Sequence, residues 1–240
     1  EFKTIKGKKY AFRNDGRMVN GLKFINIDKT TPSLSVKADD NDDHPFDTED
    51  DFIKSALWFN ANNYQCFYFG GSEDGSMKTN KTNITIDGDN FNFYFEKSGS
   101  NKGAGINGEK DDKYYLGGML LKAGSDEKYQ ALQYVNNVPG DDTDEKGWKK
   151  LDDADAVKTA AGVEAQGVTA DNVTRAKALC SSFNKNVDDL KELYILNDNN
   201  LKLVNTSGKV VDKKGKSKDG NDYVYVTDNS GVVRVIYVED

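Results

Sequence analysis

The chain has little of what most catalytic and metal sites are built from. Its one histidine, His44, sits in an acidic stretch with no cysteine near it. That removes the commonest general base and argues against a transition-metal centre. Two cysteines, Cys66 and Cys180, are too few for a disulfide framework. Two separate buried thiols are the favoured reading, and a bond between them stays open. No apolar run approaches the ~18 residues of a membrane-spanning helix. No charged-then-apolar leader opens the sequence at Glu1, so a secreted form is expected to have lost its signal peptide already.

What is present is length, charge and aromatic rings. The 240 residues suffice for one large domain or two small ones with a real core. Charged residues make up 30% of the chain and the net charge is -7, which argues against a general electrostatic grip on nucleic acid or anionic lipid. The aromatics are ordered into phrases. The stretch 9-KYAFRNDGRM-18 returns as 66-CFYFGGSEDGSM-77, then as 92-NFYFEKSG-99 followed by 103-GAGING-108, then as 113-KYYLGGM-119. Looser relatives are 201-LKLVNTSGKVV-211 and 222-DYVYVTDNSGVVRVIYVE-239.

Each phrase reads as an aromatic strand feeding a tight turn and a short return strand, because Gly after Asp or Ser supplies the left-handed conformation a hairpin turn needs. One hairpin is marginal in water, so the series is expected to stack. Alternation puts Tyr10 and Phe12, Phe67 and Phe69, Phe93 and Phe95, and Tyr114 and Leu116 on one stacking face. The other face is mixed: Lys9 and Ala11, Cys66 and Tyr68, Asn92 and Tyr94, Lys113 and Tyr115. Tyr68, Tyr94 and Tyr115 are therefore the candidates for ligand contact, set against a role in packing alone.

Between the first two phrases, residues 28–60 carry Asp39-Asp40-Asn41-Asp42-Asp43, then Asp47, Glu49, Asp50 and Asp51. No EF-hand register exists there, so a solvated acidic loop is expected rather than a calcium site, and 141-DDTDE-145 reads the same way. From Asp152 the composition becomes Ala-rich. Thr169 or Asp171 can cap a helix whose apolar face is Val173, Ala176, Leu179 and Phe183, and 186-NVDDLKEL-193 suits a second short helix. The glycines of 103-GAG-105 open no helix, so they do not make a nucleotide loop. With 40 acidic residues, some carboxylate pair always lies at glycosidase spacing, so the count says nothing about hydrolysis.

The first two phrases resemble the cell-wall-binding repeats, choline-binding or glucan-binding type, of Gram-positive surface proteins. Those repeats read roughly Trp-Tyr-Tyr-Phe, a turn, then Gly-x-Met-x-Thr-Gly. The resemblance implies a β-hairpin repeat fold, secretion and attachment to a surface polymer. In choline-binding members, tryptophans at the first position help form a cation–π cage. Here that position holds Lys9, Cys66, Asn92 or Lys113, and only Trp58 lies near a cage position, so a β-glucan, teichoic acid or peptidoglycan strand is as open as choline.

The expected architecture is mainly β: a series of β-hairpin repeats, solenoid-like or stacked, with a helical insertion at about 152–193. Its parts are a first hairpin repeat (1–27), an acidic insertion (28–60), core repeats (61–124), a linker with the helical insertion (125–196) and C-terminal repeats (197–240). The expected role is a non-catalytic, secreted or cell-wall-associated module. It would bind polysaccharide through Tyr68, Tyr94, Tyr115 and Trp58, without cofactor, metal or nucleic acid. The rivals are a spacer or protein-interaction scaffold without a small ligand, and the anchoring part of a larger cell-wall enzyme.

Overall fold

In the computed structural model, residues 1–27, 30, 33–37, 46–152, 154–160, 167–196, 200–211, 215–218 and 222–240 are described. The fold is mainly β, with 43% strand and 15% helix in several small antiparallel sheets. It divides into two compact units. The first comprises Glu1–Lys110, Tyr114–Leu120 and Val135–Trp148; the second comprises Asp111–Lys113, Leu121–Tyr134 and Lys149–Asp240.

The first unit begins with a hairpin, β1 (Phe2–Ile5) and β2 (Lys8–Ala11). Next come β3 (Leu22–Ile27), β4 (Leu34–Lys37), helix α1 (Glu49–Ala61) and β5 (Gln65–Tyr68), with β3 central in the order β4-β3-β5. A five-stranded sheet follows, ordered β6-β7-β10-β9-β8, from β6 (Asn80–Ile86), β7 (Asp89–Phe95), β8 (Gly108–Lys110), β9 (Lys113–Leu116) and β10 (Met119–Leu120). The β6–β7 turn is Asp87-Gly88, both residues at positive φ, which is the backbone a two-residue hairpin requires.

The hairpins differ from the sequence expectation in their partners. Of the four closer phrases, the fourth alone makes its own two-stranded hairpin as read, β9 with β10 across Gly117-Gly118. The first three aromatic strands pair with strands that precede them: β2 with β1, β5 with β3, and β7 with β6. Their return segments close by a few bonds only, such as Val19 N–H to Ala11 O at 2.9 Å and Lys78 N–H to Tyr68 O at 2.7 Å. Five separate sheets result among the described residues, not a continuous solenoid. The physical reason is that better strands compete for the aromatic runs. Leu22, Lys23, Phe24 and Ile25 of β3 are all buried, so β3 offers β5 a longer apolar partner than Ser76-Met77-Lys78 does.

A trace of stacking does run from phrase to phrase. The Met18 side chain lies where a Cβ on Gly75 would fall, and Met77 lies likewise over Gly103. The Met77 N–H donates to Lys9 O at 2.8 Å, and the Gly105 N–H donates to Cys66 O at 2.7 Å. In the first two phrases Gly-x-Met is thus a contact between successive phrases: Met18 and Met77 each need the bare backbone of a glycine in the next.

The stacking face is the core. Phe67, Phe69, Phe93, Phe95, Tyr114 and Leu116 are all buried, while Tyr10 and Phe12 at the first phrase are half-buried. Phe52 of α1 is fully buried among Phe24, Phe46 and Phe93, with ring centroids 5.9, 5.1 and 5.4 Å away. Helix α1 takes up the C-terminal part of the expected acidic insertion, from Glu49 onward. Thr48 caps it by accepting from the Asp51 N–H at 3.1 Å, and Glu49, Asp50 and Asp51 sit in the first turn, where the helix dipole favours negative charge. Asp39–Asp43 and His44 lie outside the described residues.

A three-stranded sheet has β11 (Tyr129–Asn137) between β12 (Glu145–Leu151) and β14 (Leu201–Asn205), and within the second unit Tyr129–Gln133 of β11 pairs with β14. A four-stranded sheet runs β13-β17-β16-β15, from β13 (Leu190–Ile195), β15 (Gly215–Lys218), β16 (Tyr223–Thr227) and β17 (Val233–Glu239). Helix α2 (Ala154–Ala160) and helix α3 (Ala170–Leu179) carry the helical part. Thr169 caps α3 as expected, and Val173, Ala176 and Phe183 are buried against Leu193, Val226 and Val235. Leu179 departs from the expected apolar face and is exposed. The second helix expected over 186–193 is a single 3-10 turn, Val187–Asp189, after which β13 begins. Pairing of Leu190–Ile195 with β17 outweighs the short helical pattern.

The looser C-terminal phrase is a true hairpin, β16 to β17, and Asp228 builds its turn. Its carboxylate accepts from the N–H groups of Ser230 at 2.8 Å and Val232 at 3.0 Å and from Arg234 Nε at 2.9 Å. Burial works to raise its pKa, but these donors outweigh it and leave the value lowered. A lowered carboxylate pKa stabilises the fold above the ordinary value and loses that contribution as pH falls through the lowered one. Asp228→Ala is expected to lower stability by about 2 kcal/mol at neutral pH, and by less under strong acid, in denaturation at the two pH values.

Candidate functional site

Helix α1 ends at Asn62, after which Asn63 takes a left-handed conformation and turns the chain toward Tyr64. Its last turn therefore gathers Trp58, Phe59 and Tyr64. The Trp58 ring lies 5.4 Å from Phe59 and 6.4 Å from Tyr64, the latter tilted by 36°. All three rings are half-buried, so each keeps some surface open. The Trp58 indole N–H donates to Asp141 O at 3.2 Å.

The 141–145 segment is an exposed loop at Asp141, Asp142 and Thr143, as expected, but it is organised by Asp144, and Glu145 begins β12. Asp144 is buried, and its carboxylate accepts from the Gly140 N–H at 2.7 Å, the Asp141 N–H at 3.2 Å and Asn62 Nδ2 at 3.2 Å. Asp141 accepts from the Thr143 hydroxyl at 2.6 Å and backbone N–H at 2.8 Å, which hold its pKa below the usual value. Asn60 Nδ2 donates to Lys146 O at 2.7 Å. The aromatic corner thus rests on a fixed polar turn.

The strand tyrosines are placed differently from one another. Tyr94 and Tyr115 are 8% and 6% exposed and form a cluster with Ile106 and Leu120, their rings 6.2 Å apart. Burial at that level leaves no ring face for a sugar, so these two are packing residues. Tyr68 is half-buried and stacks near Phe95 at 6.3 Å. Trp58 keeps company with Tyr64, which sequence reasoning missed; the signal was 58-WFNANNY-64, rings bracketing an asparagine pair at a helix end.

Other chemically notable groups are committed to structure. Cys66 and Cys180 are free, buried thiols, and burial pushes Cys66 well above its ordinary pKa, away from a reactive thiolate. Ser76, Asp74 and Lys78 meet like a nucleophile and its partners. Yet the Ser76 hydroxyl donates to Asp74 at 2.5 Å, and Lys78 Nζ donates to Ser76 at 3.1 Å while ion-paired with Asp74. Lys78 is then a donor held by a carboxylate, not a base, and Asp74 is lowered to about 2 by Lys78 and Ser76. In the second unit the Lys158 ammonium fills a pocket between the Tyr194 and Tyr223 rings, 4.6 and 4.9 Å from their centroids, and bonds both hydroxyls at 3.2 Å.

Among the described residues no group of three His, Cys, Asp or Glu side chains gathers as a metal-ligand set, and no helix is long and apolar enough to cross a membrane. No family model matches the sequence, and no curated protein matches it.

Proposed function

We propose that the chain is a non-catalytic, secreted and cell-wall-associated module that binds a surface polysaccharide. The observation that carries the reading is the half-open pair Trp58 and Tyr64, two rings 6.4 Å apart beside a rigid turn of Asp, Thr and Asn side chains. Sugar rings bind by laying their C–H faces on aromatic rings while neighbouring polar groups take the hydroxyls, and this corner supplies both. Tyr68 is a second half-open ring of the same unit. The resemblance of the first two phrases to cell-wall-binding repeats points the same way.

Burial of Tyr94 and Tyr115 favours the rival scaffold reading, because it converts two expected ligand contacts into packing. Co-sedimentation with insoluble Gram-positive cell wall separates the two. The polysaccharide reading expects retention that excess free choline does not release. Release by choline would restore a quaternary-ammonium site. No retention would leave the scaffold standing.

A further inference from the structure

The outer face of the five-stranded sheet carries a pattern that the aromatic corner does not use. Along β6 and β7, residues 81, 83 and 85 stand directly opposite 94, 92 and 90. These side chains share one face, because the alternating set Ile84, Ile86, Phe93 and Phe95 is buried on the other. The outward pairs are bonded into a ladder: Asn92 Nδ2 donates to Asn83 Oδ1 at 2.8 Å, and the Thr85 hydroxyl donates to Asn90 Oδ1 at 2.8 Å. Each bond fixes an amide plane and leaves the N–H groups of Asn83 and Asn90 pointing to solvent-exposed positions.

At one end of this ladder three lysines converge. Lys110 and Lys97 place their ammonium groups 5.2 and 5.9 Å from the Tyr94 ring centroid, and Lys81 is the cross-strand partner of Tyr94. Among the described residues none of the three has a carboxylate partner. Nearby Glu109 accepts from the Tyr114 hydroxyl at 3.2 Å, on the side opposite Tyr115. In a chain of net charge -7, three lysines without an ion pair among the described residues, with Glu96 and Glu109 as their sequence neighbours, form a cationic cluster beside a row of fixed amides.

We infer that this sheet face binds an acidic polysaccharide of the uronic-acid class, carboxylates on Lys81, Lys97 and Lys110 and sugar hydroxyls on the Asn83 and Asn90 amides. The inference rests on the polysaccharide reading and specifies the ligand chemistry and a second contact surface. A uronate chain suits both halves of the face, since it carries carboxylates and hydroxyls on each sugar. A bare polyphosphate would be held chiefly by the lysines, since it offers no hydroxyls and its high charge density favours the ammonium groups over the neutral amides.

The test is binding of soluble polygalacturonate, its methyl-esterified form and inorganic polyphosphate to the wild type, to Lys81→Gln/Lys97→Gln/Lys110→Gln and to Asn83→Ala/Asn90→Ala. All five positions lie at or near the surface, and unchanged circular dichroism certifies each fold. Wild type is expected to bind polygalacturonate and to lose affinity as salt rises, while the methyl ester binds at least about tenfold more weakly. The lysine variant is expected to lose about tenfold or more, and the asparagine variant to lose more affinity for polygalacturonate than for polyphosphate. Equal binding of both polyanions, indifferent to the asparagines, would reduce the face to a general anion patch and overturn the inference. Absence of polygalacturonate binding would overturn it too, and cell-wall retention that persists in the wild type would then keep the polysaccharide reading intact.

Discussion

Gly105→Ala is expected to destabilise the first unit by about 3 kcal/mol or more, although alanine fits ordinary β backbone well. The cause is a crossing of three backbones. The Gly105 N–H donates to Cys66 O and Gly105 bridges Phe95, while the Gly118 N–H donates to Ile106 O at 2.9 Å and the Gly118 carbonyl accepts from the Tyr94 N–H at 2.8 Å. A Cβ on Gly105 would stand 2.5 Å from Gly117 O and 2.8 Å from Gly118 N. Those are main-chain atoms of a tight turn, so they cannot swing aside as a side chain would. Trp58 and Trp148 both belong to the first unit, so urea unfolding followed by tryptophan fluorescence reads this unit directly. An unchanged midpoint would mean that the three strands do not meet as described.

Phe52→Ala is expected to cost about 3–5 kcal/mol by the same measurement. The ring is fully buried and joins α1 to Phe24 of β3 and Phe93 of β7. Its removal would empty the centre of an aromatic cluster that also contains the stacked pair Phe24 and Phe59, 4.4 Å apart. Because α1 positions Trp58, the substitution is also expected to weaken cell-wall retention. A loss below about 1 kcal/mol would show that the helix is held by its caps and not by this ring.

Much of the β character was legible in the sequence because alternation and Asp-Gly turns are local signals. The stacking residues Phe67, Phe69, Phe93 and Phe95 could be read directly, and the helix cap could be narrowed to Thr169 or Asp171, of which Thr169 is the cap. Partner choice could not. Whether β5 pairs with its own return segment or with β3, forty residues earlier, depends on competition between distant strands. Helix α1 was hidden because its first turn, Glu49-Asp50-Asp51, continues an acidic run and reads as solvated loop. The strand tyrosines misled for a related reason. Alternation says which face Tyr94 and Tyr115 share with each other, but not that Ile106, Leu120 and the lysine stems cover that part of it. The glycines of 103-GAG-105 precede a strand and not a helix, and the purpose of Gly105, room for a crossing main chain, appears only in three dimensions.

The most direct test of the polysaccharide reading is a pair of binding isotherms on insoluble Gram-positive cell wall, one for the wild type and one for Trp58→Ala. Truncating a half-open tryptophan that stacks on sugar is expected to weaken binding about tenfold, a loss of about 1.4 kcal/mol. The folded baseline of circular dichroism should stay unchanged. Superimposable isotherms would contradict a binding corner at Trp58, and a wild type that fails to bind at all would contradict the reading as a whole.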